Sequence, residues 1–296
     1  MTSQSTHPAL TAGLIDVFAE TALSGNPLAV VEDADKLSDA QMRSIAREFN
    51  QAETTFIMKS DRADYRLRSF TAAGAEVVGA GHNALGAWLW LAETGRLGRL
   101  SGTHEFRQEI GEEILDLALH ATEGRISGHM RQSALTLRPP LADVLPLAAA
   151  LGLAPSDLDP DLPPLVADTG VPHLLVGLRD AATVDRAEPS AKSLAKVLAN
   201  ASAEGCYVYA LDAGTTPGHA YARFFNPTVG LWEDAATGTA AGPLAGYLAS
   251  RKLIADTLMI EQGTRMGRRS IIRVRIGAAP EISGAGVVVM RGTISL

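Results

Sequence analysis

Hydrophobic and polar residues in the first quarter of the chain follow two periods, one typical of helices and one typical of strands. After Ser38, apolar residues recur every three or four positions, as on one buried helix face: Met42, Ile45, Ala46 and Phe49. Ser38 and Gln41 have the spacing of a capping box, which predicts the start of this helix. Segments rich in β-branched or aromatic residues, or alternating with period two, predict strands at 14–18, 28–31, 53–58 and 65–70. The pattern predicts an α/β (α+β) protein.

A glycine-rich turn that leads into an apolar helix occurs twice. Gly81 lies in the first turn, before the apolar stretch 87–92, and Gly238 lies in the second. Each turn is predicted to follow a strand, and the two glycines are separated by about half of the chain. This repetition predicts two structurally similar halves.

The sequence predicts four segments along the chain. They are a disordered tail at 1–12, an N-terminal domain at 13–127, a C-terminal domain at 128–285 and a final strand at 286–296 that could return to the N-terminal domain. The tail lacks the basic and apolar parts of a signal peptide. Each long apolar run is broken by Gly, Pro or a charged residue before it could span a membrane. We therefore expect a cytoplasmic protein that does not act at a membrane.

Charge and cysteine content narrow the class of function. The chain has 26 Lys and Arg against 33 Asp and Glu, a formal net charge of −7, which argues against binding to nucleic acid or to an anionic membrane. The expected partner is a small molecule or a protein. The single cysteine, Cys206, cannot form an internal disulfide, a thiolate metal site or a pair of catalytic thiols. Its place in a predicted apolar strand favours a buried, unreactive thiol.

The glycine turns are candidates for anion binding. The backbone N–H groups at the start of a helix have no partners within the helix, and the helix dipole adds positive charge density there. Two such helix ends that faced each other would hold a charged substrate. The glycine spacing at 79–86 does not match a dinucleotide fingerprint, and the motifs of P-loops, zinc proteases and serine-hydrolase elbows do not occur. No nucleotide cofactor and no metal ion are therefore expected.

Seven short segments, in order along nearly the whole chain, resemble the PhzF family of phenazine biosynthesis-like isomerases. They are the segments at 15–18, 24–31, 53–56, 80–82, 170–173, 233–239 and 262–263. The resemblance implies the fold of diaminopimelate epimerase, in which two similar domains each wrap a curved sheet around a central helix. It also implies a site in the cleft between the domains and a homodimer.

The resemblance assigns the catalytic role to Glu53. In this family that residue is the general acid/base that moves a proton between carbons of one small carboxylate substrate, without a cofactor. Such a carboxyl needs a pKa raised toward neutrality by an apolar setting. His82 and Asp234 are implied to flank the substrate, to hydrogen-bond its polar groups and to assist the proton shift. A purely structural interpretation makes Glu53 a surface residue, His82 a neighbour of a helix cap and Asp234 a turn residue.

The resemblance also implies the residues that bind substrate. N–H groups of Gly81, Gly238 and Thr239 are expected to contact its carboxylate. Asn26 is expected to line the cleft, although its position before proline in a turn explains it equally well. His173 is predicted to be structural. The turn at 262–268 is either a site for substrate anions or a solvated basic loop, and it is left out of the predicted site.

Departures from the family pattern keep three functions open. Around the motifs the chain has Gln51, Ala52, Val78, Gly79 and Asn83 where the best-known phenazine members have other residues, and Thr239 stands where the family commonly has Ser. Epimerases of this fold have cysteines where this chain has Ala80 and Ala236, which excludes two-thiol racemisation. The main hypothesis is an isomerase of the trans-2,3-dihydro-3-hydroxyanthranilate type. The alternatives are a racemase or epimerase that uses Glu53 with His82 or Asp234, and a catalytically silent binding protein.

Overall fold

The computed structural model describes residues 9–211, 218–229 and 231–296. They form two compact units. Unit 1 contains the chain up to Met130 together with Ala285–Leu296, and unit 2 contains Arg131–Gly284. No helix in these described ranges combines the length and the apolar character needed to cross a membrane.

The strands and helices are numbered along the chain. The strands are β1 (Leu10–Val17), β2 (Asn26–Val31), β3 (Glu53–Met58), β4 (Tyr65–Phe70), β5 (Glu76–Val77), β6 (Gly102–Ile110), β7 (Glu113–Thr122), β8 (Arg125–Arg131), β9 (Thr136–Leu137), β10 (Leu165–Asp168), β11 (Pro172–Gly177), β12 (Gly205–Leu211), β13 (His219–Asn226), β14 (Leu231–Asp234), β15 (Thr257–Gln262), β16 (Ser270–Arg275) and β17 (Glu281–Ile294). The α-helices are α1 (Asp39–Phe49), α2 (His82–Glu93), α3 (Leu145–Ala150), α4 (Ala181–Arg186), α5 (Ala191–Ala201) and α6 (Gly238–Ser250).

Unit 1 is a curved sheet around the buried helix α2. Neighbouring strands run in the order β1, β2, β3, β4, β6, β7, β8, and both β1 and β8 pair with β17. The β2–β3 and β4–β6 pairs are parallel. Residues 82–92 of α2 are all buried. Gly86 allows this close packing, because an added Cβ would lie 2.6 Å from side-chain atoms of both Val17 and Leu28. The apolar helix therefore forms the centre of the unit.

Unit 2 is built around a second buried helix, α6. Its strands are paired in the order β9, β10, β11, β12, β13, β15, β16, and β16 pairs with the first residues of β17. The β11–β12 and β13–β15 pairs are parallel. Two side chains pack closely against α6 at Gly242 and Gly246. An added Cβ at Gly242 would collide with Gln132, and one at Gly246 would collide with Leu135. A separate apolar cluster joins β11 and β12 to α3, α4 and α5.

The two units repeat one order of elements. A parallel strand pair, an antiparallel strand, a short strand, a buried helix and two more strands follow in turn, as β2, β3, β4, β5, α2, β6, β7 and as β11, β12, β13, β14, α6, β15, β16. The two glycine turns of the sequence predicted this duplication. Each turn lies immediately before the buried helix of its unit.

The ends of the predicted segments differ in detail from the structure. Along the chain, the boundary between the two units falls between residues 130 and 131, whereas the sequence predicted it between residues 127 and 128. Residues 10–12, which were predicted to belong to a disordered tail, lie in β1 and pair with β17. Residues 1–8 of that tail lie outside the described residues. In β17, residues 286–294 pair with β1, so this part of the final strand belongs to unit 1.

Candidate active site

Glu53 and His82 come together in unit 1, because each is the first residue of its element. Glu53 begins β3, and His82 begins α2. His82 Nδ1 lies 3.9 Å from Glu53 Oε2, and the two side chains are 10% and 18% exposed. This separation is too long for a hydrogen bond, but it allows both groups to reach one substrate molecule. The structure thus pairs two residues that the sequence placed in the site.

His82 is an uncharged partner at neutral pH. Burial lowers the pKa of its imidazole to about 4. Its Nε2 atom has no hydrogen-bond partner among the described residues. A neutral imidazole can donate or accept a hydrogen bond without supplying charge. The pair therefore combines one ionisable carboxyl group with one neutral polar group.

The turn before α2 is held by Asn83, one of the positions that departs from the family pattern. Its Oδ1 accepts the N–H of Gly81 at 2.7 Å, and its Nδ2 donates to the carbonyl of Gly79 at 2.9 Å. Nδ2 also donates to Ser69 Oγ, which bonds the Thr55 hydroxyl. The Gly81 N–H, expected to bind a substrate carboxylate, is thus used inside the turn. It can contact a substrate only if this bond opens.

Asn26 lies at the same end of unit 1. It is the first residue of β2 and is 2% exposed. In the parallel register between β2 and β3, Leu28 is the partner of Glu53. Asn26 therefore lies two positions from the residue that pairs with the predicted acid/base.

Asp234, Gly238 and Thr239 lie around the start of α6 in unit 2. Asp234 ends β14 and is 8% exposed, and Gly238 is the first residue of the helix. Thr237 Oγ1 donates to Asp234 Oδ2 at 2.6 Å. The carbonyl of Gly238 accepts a hydrogen bond from Gln132 Nε2 at 2.9 Å. The second glycine turn thus gathers the three predicted residues at one helix end.

His173, which the sequence treated as structural, contacts a predicted substrate-binding residue. Its Nε2 atom lies 3.0 Å from Thr239 Oγ1. The imidazole is 1% exposed and packs edge-on against the Phe224 ring. Burial lowers its pKa to about 3, so it is neutral at physiological pH. A single histidine in the otherwise apolar strand at 172–177 is the sequence signal that could have identified it.

A buried ion pair fixes the strand that carries Asp234. Arg223 binds Glu233 with two hydrogen bonds of 2.8 and 2.9 Å. Arg223 also donates to the carbonyl groups of Val184, Asp185 and Ala187. Since all these contacts satisfy both charges, the pair holds β14 in place without leaving an uncompensated charge beside the site. No motif or periodicity in the sequence distinguished Arg223 from other charged residues.

The first residues of the turn at 262–268 contact the backbone of Asp234 and of the residue that follows it. Gln262 is fully buried, and its Nε2 donates to the Asp234 carbonyl at 2.8 Å. Gly263 has φ +76°, and an added Cβ would lie 2.6 Å from the Ala235 carbonyl oxygen. Only glycine fits this close approach of two backbones. Neither of the two sequence interpretations, an anion site or a solvated loop, described this buried role of Gln262.

The described residues contain no group of three or more His, Cys, Asp or Glu side chains arranged to hold a metal ion. Cys206 is fully buried in β12, and burial raises its pKa to about 12. Its thiol therefore stays protonated at neutral pH. This agrees with the predicted unreactive thiol.

Comparisons with known proteins match nearly the full chain. A family model described as phenazine biosynthesis-like protein matches residues 15–292. The chain is 34% identical, over 293 residues, to trans-2,3-dihydro-3-hydroxyanthranilate isomerase of Pseudomonas chlororaphis, covering 96% of this chain and 98% of that protein. A PhzF-family phenazine biosynthesis protein from Bacillus anthracis has a TM-score of 0.86 and 27% identity, covering 98% of this chain and 100% of that one. A predicted epimerase from Pseudomonas aeruginosa has a TM-score of 0.81 and 30% identity, covering 96% and 99%. These matches confirm the predicted fold class.

Proposed function

The chain belongs to the phenazine biosynthesis-like protein family, and we propose that it is a cofactor-independent isomerase in which Glu53 moves a proton within a small carboxylate substrate. Its relatives are named isomerases, so the chain is an isomerase in the broad sense that includes epimerases. One observation carries the finer proposal. The carboxyl of Glu53 faces the neutral imidazole of His82 at 3.9 Å, at the start of a buried helix.

The proposed step needs one carboxyl group. Glu53 as a carboxylate takes a proton from one carbon of the substrate, its carboxyl group exchanges that proton with solvent, and it then delivers a proton to another carbon, while the substrate double bond moves between them. Glu53 ends the cycle as a carboxylate, so protons and electrons balance without an oxidant or a reductant. Positioned proton transfer of this kind typically contributes about 10²–10⁴-fold to a rate. His82, being neutral, contributes a hydrogen bond rather than a charge.

The start of α6 supplies groups suited to an anion. The first N–H groups of a helix lack partners within the helix, and the dipole favours negative charge there. We propose that the N–H groups of Gly238 and Thr239, with the Thr239 hydroxyl, bind the carboxylate of the substrate. Asp234 is proposed to bind a polar group of the same substrate. Substrate contacts by Asn26 and Gly81, and a homodimer, stay predictions.

The first substrate to test is the compound that gives the Pseudomonas chlororaphis relative its name. The purified protein would be incubated with trans-2,3-dihydro-3-hydroxyanthranilate in D₂O, and product and deuterium content would be followed by NMR. We expect the wild type to form the isomer with deuterium at the carbon that gains the proton. Glu53→Gln should form none, because an amide cannot take up the proton.

Glu48→Gln is the matched control for that experiment. Glu48 is exposed on α1, so the same change of charge there should leave turnover intact. Turnover by Glu53→Gln at the rate of the control would contradict the proposal. No turnover by wild type or control would exclude this substrate and lead to a screen of other cyclic or amino-substituted carboxylates.

An epimerase that uses Glu53 with His82 is the second candidate. It is supported by the likeness to the predicted epimerase from Pseudomonas aeruginosa and by the proximity of the two side chains. It predicts deuterium at a stereocentre of recovered substrate, with no migration of a double bond. The same NMR spectra distinguish this outcome from isomerisation.

A further inference from the structure

A buried hydrogen-bond network within unit 2 holds Asp234. At its centre is Gln262, the last residue of β15, whose side chain is fully buried. Its Oε1 accepts hydrogen bonds from the Tyr207 hydroxyl at 2.8 Å and from the Thr237 N–H at 3.2 Å. Its Nε2 donates to the Asp234 carbonyl at 2.8 Å and to Thr237 Oγ1 at 3.0 Å. The amide thus uses both its donors and both its acceptor positions.

These bonds fix the direction of every donor in the network. A backbone N–H can only donate and a backbone carbonyl can only accept, so the Thr237 N–H and the Asp234 carbonyl set the orientation of the Gln262 amide. Nε2 therefore donates to Thr237 Oγ1. The hydroxyl hydrogen of Thr237 is then left for Asp234 Oδ2, which lies 2.6 Å away. Asp234 Oδ2 is an acceptor in this arrangement.

We propose that Thr237 and Gln262 are positioning residues that hold Asp234 as an accepting carboxylate, so that Asp234 binds a donor group of the substrate rather than supplying a proton. Oδ2 is committed to Thr237, and any proton that Asp234 exchanged would be carried by Oδ1. This proposal rests on the proposed function and deepens it. It assigns proton transfer to Glu53 and requires of the substrate an N–H or O–H group besides its carboxylate.

The charged and titratable groups around Asp234 agree with this role. The Tyr207 hydroxyl comes from β12, and burial together with the charge of Asp234 raises its pKa, so it remains a donor. Glu233, the neighbour of Asp234, is bound by Arg223 from β13 at 2.8 Å. Gln262 itself cannot shift easily, because Gly263 packs directly on the Ala235 backbone.

The test is a titration of the Asp234 carboxyl in ligand-free protein by ¹³C NMR, with the signal assigned by its loss in Asp234→Asn. Thr237→Val keeps the shape of the side chain and removes the hydroxyl. Because the lost hydrogen bond favours the charged carboxylate, we expect the pKa of Asp234 to rise by about one unit, tenfold in the protonation equilibrium. Thr237→Ser retains a hydroxyl and should restore the wild-type titration.

An unchanged titration in Thr237→Val, or an equal rise in Thr237→Ser, would overturn the proposal. Gln262→Met provides a second variant if Thr237→Val does not fold. It frees the Thr237 hydroxyl to turn away, so a raised pKa of Asp234 supports the proposal and an unchanged one overturns it. The titration needs no substrate. A failure of the proposed function, seen as absence of turnover by the wild type, is therefore distinct from a failure of this proposal.

A second readout follows from activity. The rise of KM toward low pH should begin at a higher pH in Thr237→Val and return to the wild-type pH in Thr237→Ser, because Asp234 is proposed to bind the substrate as a carboxylate. A residue that merely supported the fold would lower the activity without moving the pH at which KM rises.

Discussion

The starts of α2 and α6 share a backbone design and differ in the side chains placed on it. In each unit a short strand leads into a glycine turn and then into a buried helix. The residue after the glycine is His82 in unit 1, near Glu53, and Thr239 in unit 2, bonded to His173. Thus the start of α2 places a neutral imidazole beside a carboxyl group, and the start of α6 places a hydroxyl group beside a second neutral imidazole. The two units share a backbone arrangement, and the side chains at equivalent positions differ in their chemistry.

The first residues of β3 and β12 also differ in chemistry between the two units. These strands occupy the same place in the repeat, and their first residues are Glu53 and Gly205. An added Cβ at Gly205 would lie 2.2 Å from the Phe224 ring. Unit 2 therefore has no room for a carboxyl at this position. The proposed acid/base group therefore occurs at only one of these two equivalent positions, which is consistent with the proposed one-base proton shift.

The largest expected effect comes from shortening the acid/base. Glu53→Asp keeps the carboxyl and withdraws it by about one methylene length. A misplacement of this size costs on the order of 10²-fold in kcat. KM should change little, because Glu53 is not proposed to bind the substrate carboxylate. Steady-state kinetics measures both constants, and an increase in KM at constant kcat would mean that Glu53 is a binding residue.

Because His82 and His173 are buried as neutral imidazoles, we expect the folded protein to lose stability in mild acid. Burial lowers the pKa of His82 to about 4 and of His173 to about 3, whereas the ordinary value is 6.5. Below pH 6.5 the unfolded chain therefore binds protons that the folded chain does not. The free energy of unfolding should fall by about 2 kcal/mol for each imidazole between pH 7 and pH 5.

Urea unfolding at the two pH values measures this effect. His82→Leu and His173→Leu separate the contributions of units 1 and 2, and each variant should show a weaker pH dependence than the wild type. Equal free energies of unfolding at pH 7 and pH 5 in the wild type would contradict the assignment of neutral buried imidazoles.

Gly205→Ala tests whether unit 2 can accept a side chain where unit 1 has Glu53. The added methyl group would collide with the Phe224 ring, so the free energy of unfolding should fall by about 1.5 kcal/mol. Gly292→Ala is the control, because an added Cβ there meets nothing within 4 Å. If both variants unfold at the same urea concentration as the wild type, the steric difference between the units is not real.

The smallest expected effect is at the other helix end. Thr239→Val removes the hydroxyl that bonds His173, and we expect KM to rise about fivefold with kcat nearly unchanged, the cost of one hydrogen bond. Thr239→Ser, which has the residue common in the family, should keep the wild-type KM. A large loss of kcat in Thr239→Val would instead give unit 2 a part in the chemistry.

The sequence pattern predicted those elements that depend on residues close together in the chain. The spacing after Ser38 predicted a capped helix, and the structure has the capping box and buries Met42, Ile45 and Ala46. The two glycine turns predicted the repeat. The strands β6, β7 and β8 were not predicted, although Leu115, Leu117 and Leu119 alternate with period two in β7, and pairing in the sheet stabilises all three strands.

The missed parts of the candidate site depend on contacts between distant segments. Gln262 reaches Thr237, the residue before α6, from the end of β15, and His173 reaches Thr239 across 66 positions of the chain. No periodicity in the sequence records which residues such side chains will meet. The hydrogen bond of the Gly81 N–H, in contrast, joins residues close together in the chain. This bond to Asn83 spans two residues, but the side chain of Asn83 also had to be anchored by Ser69 on β4.

Exchange of substrate hydrogen with solvent distinguishes the two proposed roles, acid/base chemistry by Glu53 and substrate binding by Asp234. Deuterium uptake from D₂O would be measured by NMR for Glu53→Gln and Asp234→Asn at saturating substrate. This assignment of roles predicts no uptake in Glu53→Gln, and uptake that persists in Asp234→Asn with a raised KM. Uptake that persists in Glu53→Gln and disappears in Asp234→Asn would contradict it.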